Sequence, residues 1–483
     1  MIWKFLLGAF FFASCSAEKV IIIGAGAAGI ATASRLLQNN ITDFRILEAE
    51  KRIGGRIHSV HFGDAFVELG AQYVHGTQGN IVYQISKDYF DFKDETNITH
   101  VYYRTRVNYG DDFIKEMFPI QRDIWSRSVF NDTFGNVFLK WYNSTVLNTY
   151  KNDQNMLNYA KDAIKTAECI NLEETGSSSW FDNIASATYD VLPGSQLLSW
   201  NGIGYKIVLD IILGNYPKKT GYNINKWISF NETVTKINLD HDKVKIRTED
   251  GAEITSDYVV FTPSLGVLKH EERSIFEPNL NTEKMKAIES LGYNGVMKIF
   301  FEFPNRWWGN EERIYFVWSE EDKRSFIKDV PFGPSKEGDH WLTWFFNIAI
   351  APNNPKVLIG WIAGRMVKEV EALTNEELKY ATMYAMRKAL GKTFNVTEPI
   401  KIIHTNWCTN PNFRGTYPYE TIESAKINAI DALYRPIVSS DGTQRVLFAG
   451  DAMIQKRYST VDGAISSGFR EGDRLVKFLK HQK

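Results

Sequence analysis

The stretch Lys19–Glu50, KVIIIGAGAAGIATASRLLQNNITDFRILEAE, decides the fold. Val20-Ile21-Ile22-Ile23 is β-branched and unbroken, the pattern of a strand buried on both faces. Gly24, Gly26 and Gly29 follow at G-x-G-x-x-G spacing, and an Ala- and Leu-rich run then predicts a helix to about Gln38. Phe44-Arg45-Ile46-Leu47 reads as a second strand ending on Glu48, nineteen residues past Gly29. Each part has a physical task. Gly24 permits the tight turn, Gly26 lets a pyrophosphate approach the backbone, and Gly29 lets helix and strand pack closely. The helix N-terminus, with Ala28 in its first turn, faces the phosphates, and Glu48 can accept from ribose hydroxyls. A carboxylate there disfavours a 2′-phosphate, so the dinucleotide is FAD or NAD rather than NADP. The fold class is α/β, built on a Rossmann-like domain.

At 483 residues the chain exceeds one core, and two or three domains are expected. Hydrophobic residues make up 44% and charged residues 23%, the balance of a soluble globular protein. A net charge of -1 gives no basic field for nucleic acid or an anionic membrane, so a cationic substrate would be drawn by local carboxylates. Ahead of the first strand, MIWKFLLGAFFFASCSA has a basic Lys4, a short apolar run over Phe5–Ala13 and small residues near Ala17. The run is too short to span a bilayer. It reads as a secretory signal over residues 1–17, with an uncleaved extension as the rival. Six N-x-S/T sequons, at Asn40, Asn97, Asn131, Asn143, Asn231 and Asn395, agree with secretion and N-glycosylation. Cys169 and Cys408 remain after cleavage and are open to pairing or to lying unpaired in the core. No C-x-x-C or His/Cys cluster points to a metal.

After Glu48 come Arg52-Ile53-Gly54-Gly55-Arg56 and then Glu68-Leu69-Gly70-Ala71-Gln72-Tyr73-Val74-His75-Gly76. A glycine pair beside arginines suits a second loop close to phosphates, with Arg56 as counter-charge. Further on stand Thr262-Pro263-Ser264-Leu265-Gly266, a lysine inside Val296-Met297-Lys298-Ile299-Phe300, and Gly415-Thr416-Tyr417-Pro418-Tyr419. Ala449-Gly450-Asp451 and Ser459-Thr460-Val461-Asp462-Gly463 close the series. Together these resemble the flavin-containing amine oxidase family, and the His-Gly step resembles its spermine and N-acetylpolyamine oxidase branch. The resemblance runs from the first strand to the last helix, interrupted mainly between Tyr83 and Gly194. Asp451 stands where family members usually carry Glu.

That resemblance implies a two-domain amine oxidase fold. The FAD-binding domain would comprise 18–80, 195–285 and 400–483, and an interleaved α+β substrate domain 81–194 and 286–399. Helices are expected over Met156–Cys169 and, started by Thr374 and stopped by Gly391, over Asn375–Leu390; strands are expected over Val234–Leu239, Val244–Thr248, Trp341–Ile348 and Val357–Ile362. Cofactor contacts carried over are Gly24, Gly26, Ala28, Gly29, Glu48, Arg56, Gln72, Tyr73, Gly450, Asp451, Thr460 and Val461, with the backbone at Val234 on the adenine.

Lys298 matches the lysine that the family places near the flavin N5. A lysine in an apolar run is costly to bury without a partner, and the bland alternative is a strand residue alternating out to solvent. His75 would face the substrate amine as a neutral acceptor, or else be a satisfied structural histidine. Tyr417 matches one wall of the aromatic cage and Thr460 replaces the other, while Tyr419 reads as core. Glu174 or Glu173, before Ser177–Ser179, would serve a distal nitrogen, or else form a solvated acidic loop. Thr416 occupies the position of the flavin-linked cysteine of monoamine oxidases, so FAD is expected to be non-covalent. The expected reaction is oxidation of a polyamine at a secondary amine by O2, giving a shorter amine, an aminoaldehyde and H2O2. The competing readings are an L-amino-acid oxidase, lacking an arginine clamp after Arg56, a monoamine oxidase, and a secreted polyamine-binding protein without turnover.

Overall fold

Val20, Ile21 and Ile22 are wholly enclosed because their strand, Ser16–Ile23, has a parallel neighbour on each edge, Phe44–Glu48 and Glu253–Phe261. This computed structural model describes residues 16–95, 100–103, 123–124, 131–186, 189–240, 242–271, 273–336 and 338–481. Residues 1–15 of the expected signal and the Asn97 sequon lie outside the described residues. Among the described residues the largest sheet has nine strands. Its order is Phe276–Glu277, Val234–Asp240, Lys243–Thr248, Glu253–Phe261, Ser16–Ile23, Phe44–Glu48 and Ile228–Phe230. Gln444–Phe448 lies parallel against Glu253–Phe261 and carries Ile437–Val438 on its other edge. The register sets Ile23 beside Leu47 and Phe261, and Phe261 beside Phe448. The carboxyl ends of four parallel strands therefore meet along one edge, the place where such a sheet holds a dinucleotide.

Two helices cover one face together. Ala27–Gln38 follows the first strand, and Val461–His481 packs along it so closely that a Cβ at Gly468 would lie 2.2 Å from the Ala28 carbonyl oxygen. The Thr32 hydroxyl donates across this seam to the Gly468 carbonyl at 3.0 Å. Small residues are needed there because the backbones nearly touch.

A six-stranded sheet, counted among the described residues, carries the second core. Its order is Lys401–His404, Val296–Glu302, Asn354–Ala363, Phe345–Ala351, Arg313–Phe316 and His100–Tyr103. Gln154–Thr175 and Asn375–Leu390 pack their buried faces into the same core. Thr374 starts the latter through a capping box with Glu377, the start and stop read from the sequence. Three details differ from expectation. Residues Trp341–Trp344 form a 3-10 turn rather than strand, because the His340 ring accepts from the Leu342 amide at 3.2 Å; the strand begins only at Phe345. The boundary at residue 400 falls inside the second sheet, since Lys401–His404 pairs with Val296–Glu302. The boundary at 80 falls early, since Val82 of Ile81–Ser86 and Phe90 are buried in the core beneath the first sheet.

Cys169 and Cys408 are both buried and free. The five sequon asparagines among the described residues, Asn40, Asn131, Asn143, Asn231 and Asn395, are all exposed. Among the described residues no helix is long and apolar enough to cross a membrane.

Candidate active site

The three glycines of the first turn are distinguished by what surrounds them. Gly24 has φ +100°, and a Cβ there would lie 2.6 Å from the Thr262 hydroxyl. A Cβ at Gly29 would lie 2.0 Å from the Gly24 carbonyl oxygen, so this residue sets the helix-to-strand distance. Gly26 is different: the Gly55 Cα at 4.0 Å is the nearest atom to its added Cβ. Space is left above the N-terminus of Ala27–Gln38, which has no side-chain cap and no acid in its first turn. Unengaged amides, a positive dipole end and a gap between two glycine turns fit a pyrophosphate. Ala28, buried, lies within that first turn.

Glu48 is buried at the next strand end, and desolvation raises its pKa. Its carboxylate accepts from the Ala25 amide at 2.6 Å and from the Glu50 amide at 2.8 Å, which hold it beside the glycine turn. The Glu232 amide donates to the Glu48 carbonyl at 2.9 Å, which sets Val234 two residues along from the same corner. Arg56 stands in the second glycine loop. Its guanidinium makes a two-pronged pair with Asp451, at 2.8 and 2.6 Å, and also donates to the Thr416 carbonyl. The pair ties the second glycine loop to the turn that follows Gln444–Phe448. Gly450, at φ +147°, exchanges hydrogen bonds with the Ser467 side chain, fixing that turn on the last helix.

Lys298 is 4% exposed, and its strand, Val296–Glu302, is buried on both faces, so alternation does not carry it to solvent. Its Nζ donates to the Glu68 carbonyl at 3.0 Å, the Gly70 carbonyl at 2.8 Å and Gln72 Oε1 at 3.0 Å, and lies 4.7 Å from the centre of the Trp361 ring. Burial pulls its pKa down to about 7, with Glu68 and Glu173 opposing the fall. Gln72 is thus a partner of the lysine, and the next residue, Tyr73, donates to Glu95 at 3.1 Å. Ser199 donates to the same carboxylate at 2.9 Å.

His75 lies at the other end of this segment. Its Nδ1 is 2.7 Å from the Gln196 carbonyl oxygen, which can only accept, so Nδ1 carries the proton and Nε2 the lone pair. Burial lowers its pKa and keeps the ring neutral. Its own carbonyl accepts from Arg457, which is paired with Asp462 at 2.8 Å. Thr460 is spent on the same helix end: its hydroxyl accepts from the Gly463 amide at 3.0 Å and donates to the Arg457 carbonyl at 2.7 Å. It caps the helix that Val461 begins. Tyr417 stacks over Gly176, where an added Cβ would come within 2.5 Å of the ring, and its hydroxyl donates to the Glu173 carbonyl.

Of the two acids weighed together, Glu173 and not Glu174 turns inward. Glu174 is exposed, whereas Glu173 accepts from Asn347 at 3.4 Å and lies 3.5 Å from Arg313. The strand register explains the grouping. Lys298 is paired with Trp361, Trp361 with Asn347, and Asn347 with Tyr315, so four side chains form a row on one face of the second sheet. Arg313, two residues before Tyr315, extends the row and donates to the Tyr315 hydroxyl at 3.3 Å. Trp361, Asn347, Tyr315, Arg313 and Glu95 were not singled out from the sequence. Arg313 carries the same signal as Lys298, a lone cation in an otherwise apolar strand (Arg-Ile-Tyr-Phe), and that signal was sufficient to find it. Among the described residues, three atoms of the row have no hydrogen-bond partner: Trp361 Nε1, Asn347 Oδ1 and Arg313 Nε.

The model for flavin containing amine oxidoreductases matches residues 27–196 and 220–476. The chain is 27% identical to the Arabidopsis thaliana protein named "Probable polyamine oxidase 5", over 96% of this chain and 98% of that one. It is 28% identical to the bovine and 27% to the human peroxisomal N(1)-acetyl-spermine/spermidine oxidase; the alignments span 95% and 96% of this chain and 94% and 96% of those proteins. The solved structure of a putrescine oxidase double mutant, redesigned in its cofactor binding, superposes with a TM-score of 0.62 at 13% identity, covering 96% of this chain and all of that one, a likeness of fold. The family model covers both the glycine turn's helix and the strand that carries Lys298, and the chain belongs to the flavin-containing amine oxidoreductase family.

Proposed function

We propose that this protein uses non-covalent FAD to oxidise a polyamine at a secondary amine, with O2 as electron acceptor. The observation that carries the substrate class is the sign of the buried charge. Glu68 and Glu173 both act on Lys298, whose pKa is drawn down to about 7, and Glu173 also lies against Arg313. Burial raises the pKa of Glu68 and of Glu173, so an arriving cation relieves the desolvation of both. Full-length similarity to a protein named as a probable polyamine oxidase and to two named as N(1)-acetyl-spermine/spermidine oxidases supports the same reading.

FAD, when bound, would supply hydride acceptance from the carbon beside the amine nitrogen and two-electron transfer to O2, with H2O2 as the product. The chain's own residues do the rest. The first helix N-terminus and Glu48 would hold the dinucleotide, and the Arg56–Asp451 pair would fix the loop beside it. Lys298, held by three acceptors, places an amine of near-neutral pKa where a proton can be exchanged through water. His75 Nε2 accepts from the substrate ammonium, and the Tyr417 face borders the same space. Water then hydrolyses the imine to a shorter amine and an aminoaldehyde. An amino-acid oxidase needs a free arginine for the substrate carboxylate, and the inward Arg313 is already set against Glu173. The monoamine reading needs a second aromatic wall, and Thr460 is a helix cap instead.

Secretion with N-glycosylation belongs to the same proposal, supported by the apolar leader and the exposed asparagines of the described sequons. The deciding experiment is anaerobic bleaching of the flavin with spermine, N-acetylspermine, a monoamine and an L-amino acid in parallel. Bleaching by polyamines alone is expected. Bleaching by the amino acid or monoamine alone removes the substrate assignment, and a stable oxidised flavin with all four favours a binding protein.

A further inference from the structure

The Arg457 guanidinium has five N–H groups, and each meets an acceptor. Nε and one Nη2 hydrogen close a two-pronged pair with Asp462, at 2.8 and 2.9 Å. Nη1 donates to the Tyr189 hydroxyl at 2.8 Å and to the Asp190 carbonyl at 2.6 Å. The remaining Nη2 hydrogen goes to the His75 carbonyl at 3.2 Å. The Arg457 and Asp462 side chains are 11% and 7% exposed, so this cation is nearly buried and fully engaged.

Three separate parts of the chain meet on it: the first turn of the last helix, His75 itself, and the segment from Tyr189 to Gln196. That segment carries the Gln196 carbonyl that takes the proton of His75 Nδ1. Further along, the Gly76 and Thr77 amides donate to the Ser195 and Pro193 carbonyls, both at 2.8 Å. Arg457 therefore holds the imidazole from two sides. It fixes the backbone from which the ring hangs, and it fastens the near end of the segment that selects the tautomer. Burial is the largest influence on the ring's protonation, and the charges of Arg457 and Asp462 then act on it in opposite directions. What the pair supplies is placement. A lysine ammonium, a compact point charge, cannot reproduce a planar fork that spans four groups.

We infer that Arg457 is a positioning residue for His75, holding Nε2 toward the space where the substrate ammonium sits. The inference rests on the reading of His75 as the acceptor for that ammonium and adds the residue that keeps it there.

The test is a double-mutant cycle on the FAD-loaded protein, with kcat and KM for spermine measured for wild type, Arg457→Lys, His75→Ala and the two combined. Arg457→Lys keeps a cation against Asp462, so no buried carboxylate is stranded, and removes the fork. FAD content and thermal midpoint should stay close to wild type. KM should rise and kcat/KM fall by about 10-fold, the size of one hydrogen bond to a charged group, with no further loss once His75 is alanine. Diaminooctane has no secondary nitrogen to oxidise, and its binding, followed by tryptophan fluorescence, should weaken by the same ~10-fold only where His75 is present. Losses that add in both backgrounds, or a fall in kcat with KM and diamine binding unchanged, overturn the positioning role. Should Arg457→Lys not fold, Arg457→Gln with Asp462→Asn removes both charges together and enters the same cycle with the same two outcomes. A wild-type protein that oxidises no polyamine removes the His75 reading and the positioning role together, whereas polyamine turnover with additive losses removes the positioning role alone.

Discussion

Lys298→Met tests the centre of the site through stability as well as turnover. The folded protein holds this lysine at a pKa of about 7, against 10.5 for an exposed one. Between those values the unfolded chain keeps a proton that the folded chain has released, so wild-type stability rises with pH across that window. Each unit contributes ~1.4 kcal/mol, and the rise from about pH 7 to about pH 9 amounts to ~2.7 kcal/mol. Below pH 7 both states carry the charge and the gain is absent. Methionine does not titrate, so the variant lacks this rise. It also leaves the Glu68 carbonyl, the Gly70 carbonyl and Gln72 Oε1 without their donor, at ~1–3 kcal/mol each. Near pH 7 relief of the buried charge offsets part of that loss; near pH 9 nothing does. Urea denaturation of both proteins at the two pH values should show the gap widening by ~3 kcal/mol. A gap that stays constant, or narrows, refutes the assignment of a depressed lysine. Turnover carries the matching signature: the wild-type kcat should climb through pH ~7 as the lysine loses its proton. The variant should keep FAD, turn over far more slowly and lose that limb.

Gly26→Val should fold normally, since little stands near its added Cβ, yet purify with little or no FAD, because the side chain occupies the phosphate gap; flavin absorbance per protein and circular dichroism decide this together. Asp451→Asn leaves Arg56 without its charge partner and should cost ~3–5 kcal/mol along with weaker FAD retention, read by thermal melting and by flavin release. FAD should come free into the supernatant on acid precipitation, because Thr416 supplies no thiol and the buried Cys408 packs against Gly295; flavin retained by the pellet would contradict this.

The cofactor half of the molecule was legible because its signals are local. A strand, three glycines, a helix and an acid stand within thirty residues, and each glycine's role could be assigned before its surroundings were seen. Lys298 was legible for a related reason, as a charge where an apolar strand excludes one. The rest of the site is written across strands. Trp361, Asn347 and Tyr315 meet Lys298 only through the pairing of strands separated by loops, and no spacing rule encodes that register. Glu173 and Glu174 could not be told apart either, because the choice depends on which side of the Gln154–Thr175 helix faces the sheet. Thr460 is the opposite case: family position pointed to substrate, and the local rule that threonine before a helix caps it accounts for both hydrogen bonds of its hydroxyl.

The last helix, lying against the first across Gly468, has a consequence for how the protein is made. On the ribosome the glycine turn emerges early, but the strand beside it, Glu253–Phe261, follows more than two hundred residues later. At roughly 5–20 residues per second that interval is on the order of tens of seconds. Gln444–Phe448 and the sealing helix emerge later still. The apolar strand Val20–Ile23 therefore spends most of synthesis without its neighbours, and no partial chain holds a complete cradle. The cradle's packing is complete only once Val461–His481 has docked against Ala27–Gln38.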